Sequence, residues 1–371
     1  MLKKMDKTLL ITSIFLLLVG LIMVFSASNV TSFMKFKVTP YYFFNRQLIF
    51  MIISFILSLF IIRFKTTTYG KLSWIIIIGL IGALILVLLY GKITNQARSW
   101  FSFSGVKFQP SEFVKVASIV WMAYFCTSKQ RDGIKSYALL FVIIGTIFLL
   151  IVFQPDFGTA CIFALIIFMM FLALNINKKV KRIIVVSLVV IGSVFLILLK
   201  SNAFNGFFER QAGRLTSFLK SPCSEENFYT TGTQLCNGYI AINNGGFSGL
   251  GLGNSTQKYL YLPEAYTDFI FAITVEELGL GISIVILILL FIVLWRIFII
   301  SKRASTEYGR LMCYGIFWYI LFHIVVNLGG VFGLLPLTGV PLPFLSYGGS
   351  FLMCLIISLT IVQRVCIESK T

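Results

Sequence analysis

The sequence predicts an all-α fold: a polytopic membrane protein with about ten transmembrane helices and a large extracellular loop between helices 7 and 8. Three observations lead there. Hydrophobic residues make up 58% of the 371, more apolar surface than a soluble chain of this size can bury. Runs of about 17 to 25 mostly apolar residues, the length that crosses a hydrocarbon core roughly 30 Å thick, recur from end to end. Lys and Arg gather in alternate short connections between those runs, as the positive-inside rule requires.

Apolar length places the spans at 8–27, 47–62, 72–90, 110–126, 137–153, 157–174, 183–200, 269–295, 311–330 and 347–363. The first follows Lys3, Lys4 and Lys7 and is longer than the apolar core of a usual signal peptide, so it is read as a retained helix. Clusters around Lys3, Arg63, Lys129, Lys178, Arg296 and Arg364 hold more than half of the 31 basic residues. Assigning them to the inner side puts both termini in the cytoplasm of a multi-pass plasma-membrane protein and the 201–268 loop on the outer face. The net charge of +18 is spread in these small clusters rather than along one stripe, which excludes nucleic acid as a partner. The chain is read as a single membrane domain, 1–371, with the 201–268 loop inside it.

That loop is too long for an ordinary connection and too rich in Gly, Asn and Ser for one helix. Its apolar residues, among them Phe207, Phe218, Tyr239 and Ile242, argue against disorder and for short interfacial helices. Cys223 and Cys236 both lie there, where an oxidising compartment permits a disulfide. The other five cysteines sit in or beside spans as small apolar residues, and none has metal-ligand spacing.

Acidic residues are scarce, 13 in all, and those near spans are costly unless paired or wet. Glu112 follows Gln109-Pro110-Ser111, and Asp156 follows Gln154-Pro155. Both are suited to capping a helix N-terminus. Lys115, three residues after Glu112, would enter the bilayer as a charge, so a buried Glu112–Lys115 pair with Asp156 nearby is expected to line a polar cavity opening outward. Asp268 closes the run Pro263-Glu264-Ala265-Tyr266-Thr267-Asp268 at the water boundary, where partial desolvation suits a general base. Glu276 and Glu277 lie two turns deeper, and one of them, assigned as Glu277, is expected to face the same cavity.

Arg98, Trp100, Arg210 and Arg214 add cations and an aromatic face, a combination that fits an anionic lipid headgroup. Ser346 lies in a run of breakers, Pro341 to Ser350, whose backbone at membrane depth must be buried or line a wet cavity.

These residues resemble the SEDS family (shape, elongation, division and sporulation), which includes FtsW, RodA and SpoVE. The likeness runs end to end. It is carried by Ala97-Arg98-Ser99-Trp100, Gln109 to Lys115, Gln154 to Ala160, the loop from Gly249 to Asp268, Glu276-Glu277-Leu278-Gly279, and Pro343 to Ser350. The stretches Gly251 to Ser255, Gln257-Lys258 and Tyr261 to Ala265 resemble the FtsW division branch more than RodA. The chain departs from the family at Tyr266, where His is usual, at Thr233-Gln234, where Tyr-Gln is usual, and over Ser221 to Tyr229.

The resemblance implies an inverting peptidoglycan glycosyltransferase that polymerises lipid II, with undecaprenyl diphosphate leaving, during septal cell-wall synthesis. It implies a class B penicillin-binding protein as crosslinking partner, alongside other divisome membrane proteins. Asp268 takes the place of the family's essential aspartate and Trp100 that of its outer tryptophan. Arg98, Trp100, Glu112, Lys115, Asp156, Arg210, Arg214, Glu264, Glu277 and Ser346 are the substrate-binding residues to test. A divalent cation, Mg²⁺ or Mn²⁺, is an optional aid at the diphosphate; no residue is assigned to hold it. RodA-like elongation, SpoVE-like sporulation, a lipid II flippase or transporter and a non-enzymatic scaffold are the competing readings.

Overall fold

In lipid a helix is the simplest way for a segment to satisfy its own backbone groups. The computed structural model describes residues 2–94, 97–103, 106–128, 134–174, 181–182, 223–224, 228 and 232–370. Helices occur at nine of the ten predicted spans, and the tenth, 183–200, lies outside the described residues. The chain divides into two units, Met1–Thr66 with Ser217–Thr371, and Thr67–Thr216.

The first unit contains α1 (Lys7–Met34), α2 (Tyr42–Ile61), α7 (Thr233–Gly245), α8 (Ile270–Lys302), α9 (Glu307–Val331) and α10 (Gly349–Ser369). All of these except α7 are long and apolar enough to cross a membrane. Helix α2 starts at Tyr42 rather than 47, because Asn45, Arg46 and Gln47 lower the hydropathy of its first turns without breaking the helix. Asp6 caps α1 by accepting from the Leu9 N–H at 2.8 Å, and Thr306 caps α9 through Gly309 at 3.0 Å. Helix α8 packs on α1, α7 and α9, while α10 packs on α2 and α9. The short helix α7 lies in the predicted loop, and a Cys223–Cys236 disulfide, with Cα atoms 5.3 Å apart, ties it to the residues before it.

One span is not a continuous helix. At Gly279, with φ 79° and ψ 166°, α8 leaves helical geometry. The carbonyls of Glu276 and Glu277, freed by the break, accept from the N–H groups of Leu250 and Gly251, each at 2.9 Å. The N–H groups of Leu280 and Gly281 donate to Gly246 and Phe247 at 2.9 and 3.1 Å. The 246–251 segment thus supplies the partners that an interrupted helix needs at this depth.

The second unit holds α3 (Thr66–Tyr90), α4 (Pro110–Thr127), α5 (Ala138–Phe153) and α6 (Phe157–Ala173). It also holds a three-stranded antiparallel sheet, β1 (Lys92–Thr94), β2 (Ala97–Phe103) and β3 (Val106–Phe108), in the order β1-β2-β3. The sheet is an addition to the all-helical expectation. The aromatic content of Trp100-Phe101-Ser102-Phe103 suits a strand, and β2 pairs Phe101 with Phe108 and Ser102 with Lys107. Strand β2 packs on α4, and the rings of Phe108 and Phe113 lie 4.8 Å apart across the junction of β3 with α4.

Candidate functional site

In the first unit, Asp268 stands two residues before α8, at the end of a chain of turns covering 256–269. It is partly exposed. The carbonyls of Tyr266, Thr267 and Asp268 take donors from outside α8. The Tyr347 N–H donates to Tyr266 O at 3.0 Å. The Ser346 hydroxyl donates to Thr267 O at 2.6 Å and accepts from the Leu342 N–H at 2.8 Å. The Asn327 amide nitrogen donates to Asp268 O at 2.9 Å and to Val340 O at 2.8 Å. Gln47 of α2 holds the other side of the same loop, donating to Ser346 O at 3.3 Å and accepting from the Gly348 N–H at 3.2 Å. The non-helical stretch predicted at Pro341 to Ser350 is thus bonded over 340–348 and buried over 342–346, and α10 begins at Gly349.

The wall of this site is aromatic. Phe43 lies 4.5 Å from Tyr266 and 4.9 Å from Tyr347 between ring centroids. Burial pushes the Tyr266 phenol well above its ordinary range, and the neighbouring Glu264, Tyr347 and Asp268 push the same way. Tyr266 therefore stays neutral and cannot take a proton near neutral pH. Glu264 accepts from the Thr267 hydroxyl at 3.2 Å, both through its backbone oxygen and through Oε2. A Cβ built on Gly339, whose φ is 75°, would stand 3.4 Å from Asp268 Oδ2, so the backbone at 339 borders the carboxylate directly.

Glu276 and Glu277 are both enclosed. Glu277 pairs with Lys258 at 3.0 Å and accepts from the Ser26 hydroxyl at 2.6 and 2.7 Å. Lys258 also donates to Gly253 O at 2.6 Å. Glu276 accepts from Ser255, from Asn244 at 3.1 Å and from the Thr256 hydroxyl at 2.8 Å. The two carboxylates hold the 244–258 segment against α8. Their contacts are with the protein itself, which gives Glu277 a structural place instead of the cavity-facing one expected for it.

In the second unit, Glu112 and Lys115 form the expected pair, at 2.8 Å and fully buried. Glu112 Oε2 finds no hydrogen-bond donor among the described residues. Asp156 caps α6 through Thr159 at 3.2 Å and accepts from the Gln109 amide at 2.9 Å. Gln154 donates to Leu84 O at 3.1 Å, and its own carbonyl accepts from Ser99 at 3.2 Å. The backbone of Arg98 and Trp100 lies on β2, where Trp100 pairs with Lys92 of β1 and is partly exposed. Arg210 and Arg214 lie outside the described residues.

Sequence reasoning passed over Gln47, Asn327, Lys258 and Ser26. A signal was present for Asn327, a lone polar residue inside an apolar stretch that needs a partner there; Gln47, Lys258 and Ser26 stand among other polar residues. What the sequence lacks is the identity of that partner, which lies 251 positions away for Ser26 and Glu277. Among the described residues, no group of three or more His, Cys, Asp and Glu is gathered to hold a metal ion.

Comparison with known proteins gives the family and the fold. The FtsW/RodA/SpoVE family, described as cell cycle protein, matches residues 7–371. The chain is 38% identical over 382 aligned residues to a protein of Bacillus subtilis named probable peptidoglycan glycosyltransferase FtsW, covering 100% of this chain and 92% of that one. It is 36% identical to stage V sporulation protein E of the same organism, covering 98% of each. Among solved structures, one from a peptidoglycan synthase complex, described as coordinating polymerization and crosslinking, superposes with a TM-score of 0.77 at 22% identity, over 98% of this chain and 97% of that one. The rod shape determining protein RodA of Thermus thermophilus superposes with a TM-score of 0.71 at 22% identity, over 99% and 98% of the two chains. At those identities the structural likeness speaks for the fold.

Proposed function

This chain is a bacterial membrane protein belonging to the FtsW/RodA/SpoVE family, and we propose that it is a peptidoglycan glycosyltransferase of the FtsW type, polymerising lipid II in septal wall synthesis with Asp268 as general base. The observation that carries the assignment of the base is the support around Asp268. Three consecutive carbonyls ending at Asp268 are pinned by donors from outside α8, beside a phenol that cannot accept a proton. A partly exposed carboxylate on an immobilised turn is what proton abstraction from a bound sugar needs.

In the reaction, Asp268 takes the proton from the 4-hydroxyl of the acceptor N-acetylglucosamine. That oxygen forms the new glycosidic bond at the anomeric carbon of the growing chain. The bond from this carbon to undecaprenyl diphosphate breaks, the diphosphate leaves with the electron pair, and the configuration inverts. On charge alone, Arg98, Arg210 and Arg214 are assigned to the anionic diphosphate; Lys115, also expected there, is enclosed in its pair with Glu112. Trp100 is assigned to the headgroup on the strength of its flat face.

Both termini are assigned to the cytoplasm, and Asp268 to the outer face. The alternation of basic residues supports this, as does a disulfide, which belongs in an oxidising compartment. A class B penicillin-binding protein is the proposed crosslinking partner, with other divisome membrane proteins around it. The occurrence of the fold in a peptidoglycan synthase complex supports such a partnership.

The test is polymerisation of labelled lipid II by the purified protein with its cognate transpeptidase. Asp268→Asn is expected to abolish glycan formation. Product at the wild-type rate would remove Asp268 from its role, and lipid II translocation across vesicles without polymer would favour a transporter.

A further inference from the structure

Asn327 is 5% exposed on α9, and its amide nitrogen spends both of its N–H donors on backbone carbonyls, Asp268 O at 2.9 Å and Val340 O at 2.8 Å. Val340 follows Gly339, the residue whose Cα side borders Asp268 Oδ2. One side chain therefore sets the separation between the residue that carries the carboxylate and the backbone that flanks it. An Asn in an apolar helix is costly without partners, and here both partners belong to this one junction. Ser346 and Gln47 hold the adjoining carbonyls and N–H groups, whereas the Asn327 side chain bonds the backbone of Asp268 itself.

We propose that Asn327 is a positioning residue for glycan polymerisation, fixing Asp268 relative to the 339–340 backbone so that the carboxylate meets the acceptor hydroxyl at bonding distance. This rests on the assignment of Asp268 as base. Asn327 is not assigned any contact with the sugar. Loss of its two bonds frees the turn that carries Asp268. A misplacement of about 1 Å at a reacting group costs on the order of 100-fold in rate.

The experiment compares Asn327→Leu, Asn327→Asp, Gln363→Leu and Asp268→Asn in full-length protein with its transpeptidase. Turnover of labelled lipid II is measured per folded molecule, with thermal unfolding recorded in parallel. Asn327→Leu keeps the volume and loses both donors; kcat is expected to fall about 10- to 100-fold with KM within about twofold. Asn327→Asp, buried and protonated, retains one donor and is expected to fall between Leu and wild type. Gln363 clamps the Asp6 backbone with a comparable pair of bonds, 2.8 and 2.9 Å. Its Leu variant is expected to lose stability but keep turnover.

A loss confined to KM, a kcat equal to wild type in Asn327→Leu, or an equal loss in Gln363→Leu would each overturn the proposal. If Asn327→Leu cannot be recovered folded, Asn327→Asp decides, and wild-type kcat there overturns it. An inactive Asp268→Asn beside an unimpaired Asn327 variant sinks this inference alone. Wild-type polymerisation by Asp268→Asn sinks the base assignment and this inference together.

Discussion

Lys258 and Glu277 form a 3.0 Å ion pair whose side chains are 1% and 0% exposed, with Ser26 of α1 donating to the same carboxylate. Deleting one partner leaves a charge without compensation where water cannot reach, which typically costs about 3–5 kcal/mol. Lys258→Met and Glu277→Gln are each expected to lower the unfolding temperature of the detergent-purified protein. The double variant Lys258→Met/Glu277→Leu is expected to recover much of that loss. Single variants that unfold like wild type would show that the pair contributes little.

Gly249 and Gly279 meet backbone to backbone, both with φ of 79°. A Cβ on Gly249 would lie 2.4 Å from Glu277 O, and one on Gly279 would lie 2.3 Å from Phe247 O. Alanine at either position combines a left-handed backbone, about 1–2 kcal/mol, with a clash against backbone that cannot step aside. Each substitution is expected to destabilise by more than that. The two together are expected to cost less than the sum, because they break the same contact. Denaturant titration followed by Trp fluorescence would read both effects.

Cys223 and Cys236 are bridged. After alkylation of free thiols in intact cells, the pair should stay unlabelled until reductant is added. In Cys236→Ser, the exposed Cys223 should react with a membrane-impermeant maleimide added outside. Labelling only after the membrane is opened would contradict the proposed orientation. A disulfide typically contributes about 2–4 kcal/mol, so Cys236→Ser should also unfold earlier.

Asp6 gives the fold a pH dependence. Burial alone would raise its carboxyl, but hydrogen bonds from Arg296 and the Leu9 N–H, with the charges of Arg296 and Lys370, outweigh this and hold it below the usual carboxylate range. A lowered folded-state pKa stabilises above the unfolded value and is lost as the pH falls through the folded one. The Asp6–Arg296 ion pair is therefore expected to be intact at neutral pH and to fail below about pH 4. Asp6→Asn should flatten that part of the acid limb in a plot of unfolding temperature against pH.

Most of the membrane-spanning architecture was legible, because a span must be apolar along its whole length and nothing else in a chain of this kind looks the same. The sheet over 92–108 was missed because its strands are short and β2 shows alternation only over Phe101-Ser102-Phe103. The break in α8 was hidden because Gly279, two residues after Glu277, reads as an ordinary small residue until the 246–251 segment is seen beside it. Local spacing found the Glu112–Lys115 pair, three residues apart on one helix face. It assigned Glu277 to a cavity because Lys258, 19 residues earlier, meets it only through the folding of the segment between them. Asn327 had no neighbour in sequence to mark it.

The interruption at Gly279 also divides α8 in its dynamics. Amide protons of Leu250, Gly251, Leu280 and Gly281 are shared between the connecting segment and the helix, so neither stretch can exchange with solvent while the other stays closed. Deuterium uptake should report them as one cooperative patch, distinct from the continuous turns that follow toward Lys302. Asp268 stands just ahead of the portion of α8, Ile270 to Leu278, that borders that patch.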